Sequence, residues 1–262
     1  MFRQADLLMP GEGLPELGTC DAVVEVAGRD SVGAAVALAR AGRINRVLPS
    51  IAFTGTEFGD LDSLWGNVER LRRLLEPEGV AVEKPVLHGS PLWWRATVGR
   101  VNSLLSLRYG PWHVCLGCHM YLHALRIPLC RRIGARKLVA GERLSHAGRE
   151  KINQSREAVE AYATVAEAFG VRLELPLLGV DDEGDITSLV GEWKEGEGQP
   201  SCVLSGNYLA RDGRTMTDPE RVRAYLDEYL VPVTLRILSE TVEKGSADYQ
   251  GSVWDVMVNI PM

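Results

Sequence analysis

Apolar and polar residues alternate along the chain in short blocks that are typical of a mixed α/β protein. The stretch "DAVVEVA" at 21–27 is a valine-rich apolar run of the kind that forms a strand buried on both faces. The next block, "SVGAAVALARAG" at 31–42, has small and aliphatic residues and a closing glycine, and it predicts a helix. The blocks at 46–54 and 60–79 repeat this pair, an apolar strand followed by an amphipathic helix.

The alternation continues and predicts three more strands and two more helical regions, the first with a break at "RYGPW". In chain order these lie at 80–87, 91–134, 136–141, 155–170 and 171–180. Strands that alternate with helices predict βαβ units. We therefore expect an α/β fold, an open parallel sheet with helices on both faces, followed by C-terminal helices.

The last third of the chain is patterned differently. A polar stretch at 181–201 predicts a mobile excursion from the core, whereas 217–245 opens with a helix start signal and predicts helices that are interrupted at Pro232. We predict an N-terminal arm, a main α/β domain and a C-terminal helical extension, over 1–17, 18–215 and 216–262.

Composition and charge narrow the class of protein. The chain has 262 residues, 45% of them hydrophobic and 24% charged, which is ordinary for a soluble globular protein. A net charge of −6 argues against a strongly basic nucleic-acid binder, although a local basic patch is compatible with it. Because no apolar run suits a membrane span or a signal peptide, we expect a cytoplasmic protein with no membrane partner. In such a reducing compartment, cysteines are more often thiols, metal ligands or catalytic groups than disulfides.

Ligands bind at the carboxyl ends of strands in open parallel sheets, so the turns after the strands are the places to inspect. The first turn, "AGRDS" at 27–31, leads into a helix N-terminus, where backbone N–H groups and the helix dipole favour an anion. Ser31 adds a hydroxyl, and Arg29 adds a charged fork for phosphate. A plain βα turn capped by Asp30 or Ser31 explains the same residues equally well.

The second turn, "FTGTEFGD" at 53–60, has two glycines that permit tight bends. Glu57 is an acidic residue at the carboxyl end of the second strand. Taken alone, the turn is most simply interpreted as a loop in which the Glu57 carboxylate caps backbone N–H groups.

Taken together, the two turns resemble those of the N-type ATP pyrophosphatases, the PP-loop proteins of the adenine nucleotide alpha hydrolase-like superfamily. "AGRDS" resembles the GGKDS part of their SGGxDS pyrophosphate loop, and "FTGTEF" resembles the D-T-G-x-E-F segment of their sulfonucleotide-reductase-like members. The chain departs from the motif at three positions, where Val26, Ala27 and Arg29 replace serine, glycine and lysine.

The resemblance implies an enzyme that binds ATP with Mg²⁺, adenylates an acceptor and releases pyrophosphate, with Asp30 as a catalytic residue. It also implies the nucleotide-binding residues, namely Ala27, Gly28, Arg29, Asp30, Ser31, Thr54, Gly55, Glu57 and Gly141.

A second signal is the stretch "HVCLGCHMYLH" at 113–123, which holds two cysteines and three histidines in a chain that has five of each. The C-x-x-C pair, Cys115 and Cys118, has a spacing that suits zinc, an iron–sulfur cluster or a redox pair. A zinc site is possible in principle if this pair combines with two of three neighbours, namely His119, His123 and Cys130.

The order of segments after this pair is similar to that of the tRNA 2-thiocytidine and thiouridine synthetase branch of the superfamily. In that branch a basic helix, a "GA-x-K" segment and a strand ending in glycine follow, and a third cysteine lies far downstream. Cys202 in "QPSCVLSGN" matches that third cysteine. The resemblance therefore implies a [4Fe–4S] cluster on Cys115, Cys118 and Cys202, with one iron open to an exogenous sulfide; Zn²⁺ is the alternative.

The third turn, "GERLSHAGREKINQS" at 141–155, is unusually polar for the end of a core strand. The resemblance implies that it closes over the nucleotide, with Arg143 or Lys151 on the α-phosphate and His146 as an acid or base. A solvated loop ahead of a helix capped by Ser155 is the alternative.

Two tryptophans followed by arginines suggest either a surface that stacks a nucleobase or a helix anchored in the core by tryptophan. These residues are Trp93, Trp94, Arg95, Arg100 and Arg108.

The resulting functional hypothesis is ATP-dependent sulfur transfer by an adenylating sulfurtransferase. The acceptor is a tRNA base or a small sulfur-containing metabolite, and sulfur is delivered through the cluster. A PP-loop ligase or reductase with a structural zinc and a nucleotide-binding regulatory protein are the alternatives. The resemblance also implies a homodimer.

Overall fold

Alternating strands and helices make up the computed structural model, which describes residues 7–8, 18–146, 148–194 and 196–260. The strands are β1 Leu7–Leu8, β2 Ala22–Glu25, β3 Arg46–Phe53, β4 Glu57–Phe58, β5 Ala81–Val82, β6 Val86–Gly89, β7 Lys137–Val139, β8 Arg172–Glu174 and β9 Ser201–Cys202. The helices are α1 Arg29–Arg40, α2 Ser63–Leu75, α3 Pro91–Trp94, α4 Asn102–Arg108, α5 His113–Arg132, α6 Arg156–Glu167, α7 Glu183–Val190, α8 Pro219–Tyr225, α9 Val231–Lys244 and α10 Tyr249–Met257. Apart from β1, the predicted N-terminal arm lies outside the described residues.

The main sheet is parallel throughout, with the strand order β1-β6-β3-β2-β7-β8 and β5 also paired to β3. Successive residues of β2 face opposite layers: Ala22 and Val24 pack with one hydrophobic cluster and Val23 with the other. The predicted α/β class, an open parallel sheet with helices on both faces, is confirmed.

The strand predicted at 80–87 is formed in two pieces. Both pieces pair with β3, but the register changes from Arg46 opposite Ala81 to Ser50 opposite Val86. This change inserts one extra residue, and the interruption coincides with Pro85, which has no N–H to give to a ladder. A single continuous strand was therefore the wrong expectation.

One face of the sheet is covered by α1, α2 and α7. The expectation that 181–201 is an excursion from the core is wrong, because Ile186, Val190 and Trp193 are buried in the same cluster as α1. Gly33 of α1 lies against Ile186 and Val190, so the two helices pack closely there. The polar composition of the segment hid a short apolar face at helical spacing.

The other face is covered by α5 and α6, and the C-terminal helices pack into that same cluster. Pro232 falls in the first turn of α9, where its missing N–H costs little. The interruption expected there takes the form of a π-helical segment, Leu226–Leu230, that joins α8 to α9. Within the described part of the chain, no helix has both the length and the apolar character that crossing a bilayer requires.

We predict that a chain ending at Thr215 does not fold on its own. Truncation there removes side chains that share the core with α5, namely Val222, Tyr225, Leu226, Tyr229, Leu230, Val233, Ile237 and Leu238. Each contributes roughly 1.5–3 kcal/mol, or about 12–24 kcal/mol together, so their loss reaches or exceeds the whole stability of a typical domain, about 5–15 kcal/mol. Urea unfolding followed by circular dichroism should show no cooperative transition.

The matched control is Trp254→Ala in the full chain, because this side chain is 68% exposed. We expect the free energy of unfolding of that variant to stay within about 0.5 kcal/mol of that of the parent chain. A cooperative transition in the truncated chain would instead establish 18–215 as an independent domain, as the sequence predicts.

Candidate functional site

The carboxyl ends of β2, β3 and β7 meet at one edge of the sheet, and two adjoining pockets open there. The phosphate-loop pocket, about 100 Å³, is lined by residues 27–31 and by Gly141, Glu142 and His146. The thiol pocket, about 450 Å³, is lined by Cys115, Cys118 and Cys202 together with residues of the second turn. The two pockets share one wall, which is made of Glu25, Ala27, His119, Lys151, Gln154 and Gln199.

The predicted phosphate loop is a tight turn held together by one hydroxyl. The Ser31 Oγ accepts hydrogen bonds from the N–H groups of Ala27 at 3.0 Å and Gly28 at 3.1 Å, and it donates to the Gly28 carbonyl at 2.8 Å. The cap differs from the predicted one: Gly28 is the N-cap residue of α1, and Ser31 bonds back to it from inside the first turn. All five predicted loop residues line the phosphate-loop pocket; their role as ATP ligands stays a prediction.

Arg29 carries a buried positive charge on this loop, since it is only 3% exposed. Its Nε donates to Asp30 at 3.0 Å, and Nη1 reaches Glu183 at 3.4 Å. Its Nη2 is buried and has no hydrogen-bond partner among the described residues. A buried unsatisfied donor is costly, so this atom suits an anionic ligand.

Arg143 lies behind the loop and supports it. Its Nη1 donates to Asp30 at 3.2 Å, while the other guanidinium nitrogens donate to the carbonyls of Val180 at 2.9 Å and Asp181 at 3.0 Å. The described residues that line the two pockets do not include it. The structure gives Arg143 a supporting position behind the loop, and its expected role at the α-phosphate stays a prediction. Lys151 lines both pockets and remains the candidate for that role.

Gly141 permits a close approach between two backbones. A Cβ at this position would lie 2.3 Å from the Ser31 nitrogen and 2.7 Å from the Asp30 carbonyl oxygen. The turn after β7 can therefore touch the first turn of α1 only because residue 141 is glycine. The sequence pointed to Gly141 as a nucleotide contact, and the structure gives it this steric role in shaping the loop.

The second turn is closed by Glu57, as the capping interpretation anticipated. Its carboxylate accepts hydrogen bonds from the N–H groups of Thr54 at 3.0 Å and Gly55 at 2.8 Å, and from the Thr54 hydroxyl at 2.7 Å. Thr54 and Glu57 still line the thiol pocket. Glu57 also pairs with Cys202 across the antiparallel β4–β9 ribbon, so this turn brings the distant Cys202 to the sheet edge.

The three predicted cysteine ligands line the thiol pocket together. Cys115 and Cys118 lie in the first turns of α5, and Cys202 lies in β9. The Cys118 sulfur accepts from the Trp94 indole N–H at 3.2 Å, and the Cys202 sulfur accepts from the Leu204 N–H at 3.4 Å. The other two cysteines, Cys20 and Cys130, are buried among core residues.

Among the described residues, no positive charge contributes to lowering the pKa of the two cysteines of α5, although Arg126 and Lys151 also line the pocket. Burial, with a smaller contribution from the other thiols of the pocket, raises the pKa of both Cys115 and Cys118 to about 12. Without a metal these side chains are protonated and are poor nucleophiles at neutral pH. Deprotonation requires a compensating cation, so the pocket suits a metal group better than a free redox pair.

Within the described part of the chain, one group of three or more metal-ligating residues has its ligand atoms within 4.8 Å of one another: His119, His123 and Glu142. The three thiols do not converge as closely, so they do not surround a single ion. Both histidines hydrogen-bond Glu142 at 3.0 Å, and the mixed Cys/His zinc site that the sequence allowed stays a prediction. Cluster ligands bind different iron atoms and can lie farther apart.

No role was predicted for Glu25 at the end of β2, for Glu142 or for Gln199. The usable signal was the H-x-x-x-H spacing of His119 and His123, which places both imidazoles on one face of a helix. It identifies the histidines but not the carboxylate that they face.

The two tryptophans anchor a helix and do not form an exposed stacking surface. Trp93 is buried and stacks on Tyr249 at 5.8 Å, and Trp94 donates to Cys118. Of the arginines grouped with them, Arg108 pairs with Glu228 at 2.7 Å. The core interpretation is the one that the structure supports.

No protein-family model matches the chain. It is 39% identical over 232 residues to "Uncharacterized protein MJ0009" of Methanocaldococcus jannaschii, and this match covers 87% of this chain and 83% of that protein.

Among solved structures, a 4-thiouridine synthetase in complex with RNA and bound ATP is similar with a TM-score of 0.51 and 17% identity over 92% of this chain. The chain spans 54% of that protein, and this similarity shows the fold alone. The U34-tRNA thiolase NcsA from Methanococcus maripaludis, with its [4Fe–4S] cluster, gives a TM-score of 0.38 at 11% identity, covering 94% of this chain and 75% of that one. That value is too low to support an argument.

We predict that Gly141→Ala displaces the phosphate loop, because the added methyl group would overlap backbone atoms of Asp30 and Ser31. Overpacking of this kind lowers the free energy of unfolding by about 1–3 kcal/mol. The affinity for ATP should fall about tenfold or more, because the loop amides move. Thermal unfolding and an ATP titration measure the two effects.

Gly66→Ala is the control, because Gly66 lies in α2 with open space around its Cβ position. That change should stabilise the helix by about 0.5–1 kcal/mol and leave ATP affinity unchanged. Equal ATP affinity in both variants would refute the steric role given to Gly141.

Proposed function

Because the chain belongs to the same family as protein MJ0009 and has the PP-loop fold of the adenine nucleotide alpha hydrolase-like superfamily, we propose that it is an ATP-dependent tRNA-thiolating enzyme. One observation carries this proposal. Three cysteines and a phosphate-type loop open into adjoining pockets with a shared wall at one edge of the sheet. The arrangement suits activation of an acceptor by ATP followed by delivery of sulfur to the same carbon.

The nucleotide side of the site binds phosphate. The N-terminus of α1 and the buried Nη2 of Arg29 favour an anion, and Lys151 lines the same pocket and is the candidate to stabilise charge at the α-phosphate. Asp30 is held by Arg29 and Arg143, and it is the loop carboxylate available to the Mg²⁺ that accompanies ATP. His146 also lines this pocket and stays a candidate acid or base.

The sulfur side fits an iron–sulfur cluster. Cys115, Cys118 and Cys202 supply three thiolates, and N–H donors already point at two of the sulfurs. Their burial disfavours thiolates without a compensating cation. A [4Fe–4S] cluster on three cysteines supplies one iron that is free to hold an exogenous sulfide.

The chemistry divides between the two pockets. In the first step a carbonyl oxygen of the acceptor base attacks the α-phosphorus of ATP, and pyrophosphate leaves. In the second step hydrosulfide attacks the adenylated carbon, a C=S bond replaces the C–O bond, and AMP leaves with the oxygen. Lys151, His119 and Gln199 line the shared wall, so they can hold the reacting carbon between the phosphate and sulfur sites.

The surroundings of the thiol pocket support an RNA base as the acceptor. The pocket volume of about 450 Å³ lies within the range that binds small ligands. The ribbon beside it exposes Phe58 at 53% and Val203 at 65%, and an exposed aromatic ring is a platform on which bases stack. A small metabolite would leave these apolar side chains uncovered. The homodimer implied by the sequence resemblance remains a prediction.

The test is thiolation of unmodified tRNA by the anaerobically reconstituted protein, with ATP and sulfide, read as thionucleosides by mass spectrometry together with pyrophosphate release. We expect product from the parent chain and from Cys130→Ala, since Cys130 lies in the core. Cys202→Ser should lose at least about a hundredfold in thiolation while ATP affinity stays the same, because the phosphate loop is intact.

Thiolation that persists in Cys202→Ser would exclude the proposed sulfur site. ATP binding without pyrophosphate release for any tRNA would instead identify a nucleotide-binding regulatory protein.

A further inference from the structure

Two histidines of α5 converge on one carboxylate beside the thiol pocket. His119 Nδ1 and His123 Nε2 each lie 3.0 Å from Oε1 of Glu142. The histidines are four residues apart on the helix and therefore share a face, while Glu142 follows β7 at the sheet edge. Three potential ligand atoms thus surround one point without using any cysteine.

A second layer of side chains orients these ligands. The Gln154 amide donates to Oε2 of Glu142, which leaves Oε1 for the histidines. The Asn153 side-chain N–H donates to Nε2 of His119 at 2.8 Å, so binding of an ion at Nδ1 requires this amide to turn its oxygen to that nitrogen. His146 contacts the Gln154 carbonyl oxygen at 2.5 Å. Outer hydrogen bonds of this kind fix the ring orientation of metal-bound histidines.

His123 gives an independent sign that a ligand is missing from this group. It is only 2% exposed, and its Nδ1 lies 3.8 Å from Oε2 of Glu25. Neither atom forms a hydrogen bond within the described residues, although Arg126 faces the Glu25 carboxylate at 3.5 Å. An ion on Nε2 would place the ring proton on Nδ1, pointing toward Glu25. Metal sites commonly use this pairing of histidine and carboxylate.

We propose that His119, His123 and Glu142 bind a divalent transition-metal ion at a site separate from the cysteines. Two imidazoles and a carboxylate match Zn²⁺ with one open coordination position, whereas Mg²⁺ prefers oxygen ligands alone. His119 and Glu142 also line the phosphate-loop pocket. The open position therefore faces the place where an anionic oxygen of a ligand would bind. The proposal does not depend on the thiolation activity.

The experiment uses the full chain with Cys115, Cys118 and Cys202 all changed to serine, stripped with a chelator and titrated with Co²⁺ and then Zn²⁺. We expect one ion per chain, with a Co²⁺ spectrum that lacks sulfur-to-cobalt charge transfer. Adding His119→Ala or Glu142→Gln should weaken binding by more than about a hundredfold, beyond the loss from one outer hydrogen bond. The control is Glu150→Gln, an exposed carboxylate in the same segment, which should leave binding unchanged.

Absence of stoichiometric binding, or unchanged affinity in either ligand variant, would overturn the proposal. The outcome is separable from the proposed function, because the serine chain lacks the sulfur site by design. If that chain does not fold, His119→Ala and Glu142→Gln are made in the chain that keeps its cysteines. These variants should lose the Co²⁺ absorption bands of the histidine and carboxylate site, and they should keep the bands that arise from thiolate ligands. Retention of both sets of bands would overturn the proposal equally.

Discussion

The site depends on one backbone contact, between the turn after β7 and the first turn of α1. At Gly141 the two backbones come so close that a Cβ would lie 2.3 Å from the Ser31 nitrogen. This contact places Glu142 and His146 beside the phosphate loop, and it puts Arg143 behind Asp30. The phosphate-loop pocket and the proposed metal ligand Glu142 are therefore both positioned by the contact between Gly141 and the first turn of α1.

The sulfur side depends on a second constraint, the burial of its thiols. The β4–β9 ribbon carries Cys202 to the start of α5, where it joins Cys115 and Cys118. Burial raises the pKa of both helix cysteines to about 12, so a cation is needed to hold them as thiolates. A site that stabilises a metal group in this way also excludes the water that would compete with sulfide for an activated carbon.

The elements of the fold were predictable because each strand and helix carries its own apolar period, as in the runs at 21–27 and 31–42. Features that depend on a partner were not predictable. The bulge at Pro85 is defined only by pairing with β3, and the burial of 181–201 only by packing on α1.

The same distinction applies to the site. Local motifs pointed to residues 27–31 and to three of the cysteines, and the structure brings these residues to two adjoining pockets. The motifs could not reveal that Arg143 bonds Asp30 and two backbone carbonyls, because those partners are distant in sequence. Nor could they show that Glu142 faces both histidines, since only the sheet edge brings β7 beside α5.

The measurement that tests the account most directly is iron and acid-labile sulfide content after anaerobic reconstitution, compared between the parent chain, Cys202→Ser and Cys20→Ala. The account predicts about four irons and four sulfides per chain for the parent and for Cys20→Ala. It predicts loss of the cluster in Cys202→Ser, because three thiolates are needed to hold it. Equal iron in all three chains, or zinc with no iron in the parent, would contradict the claim that Cys115, Cys118 and Cys202 together hold an iron–sulfur cluster.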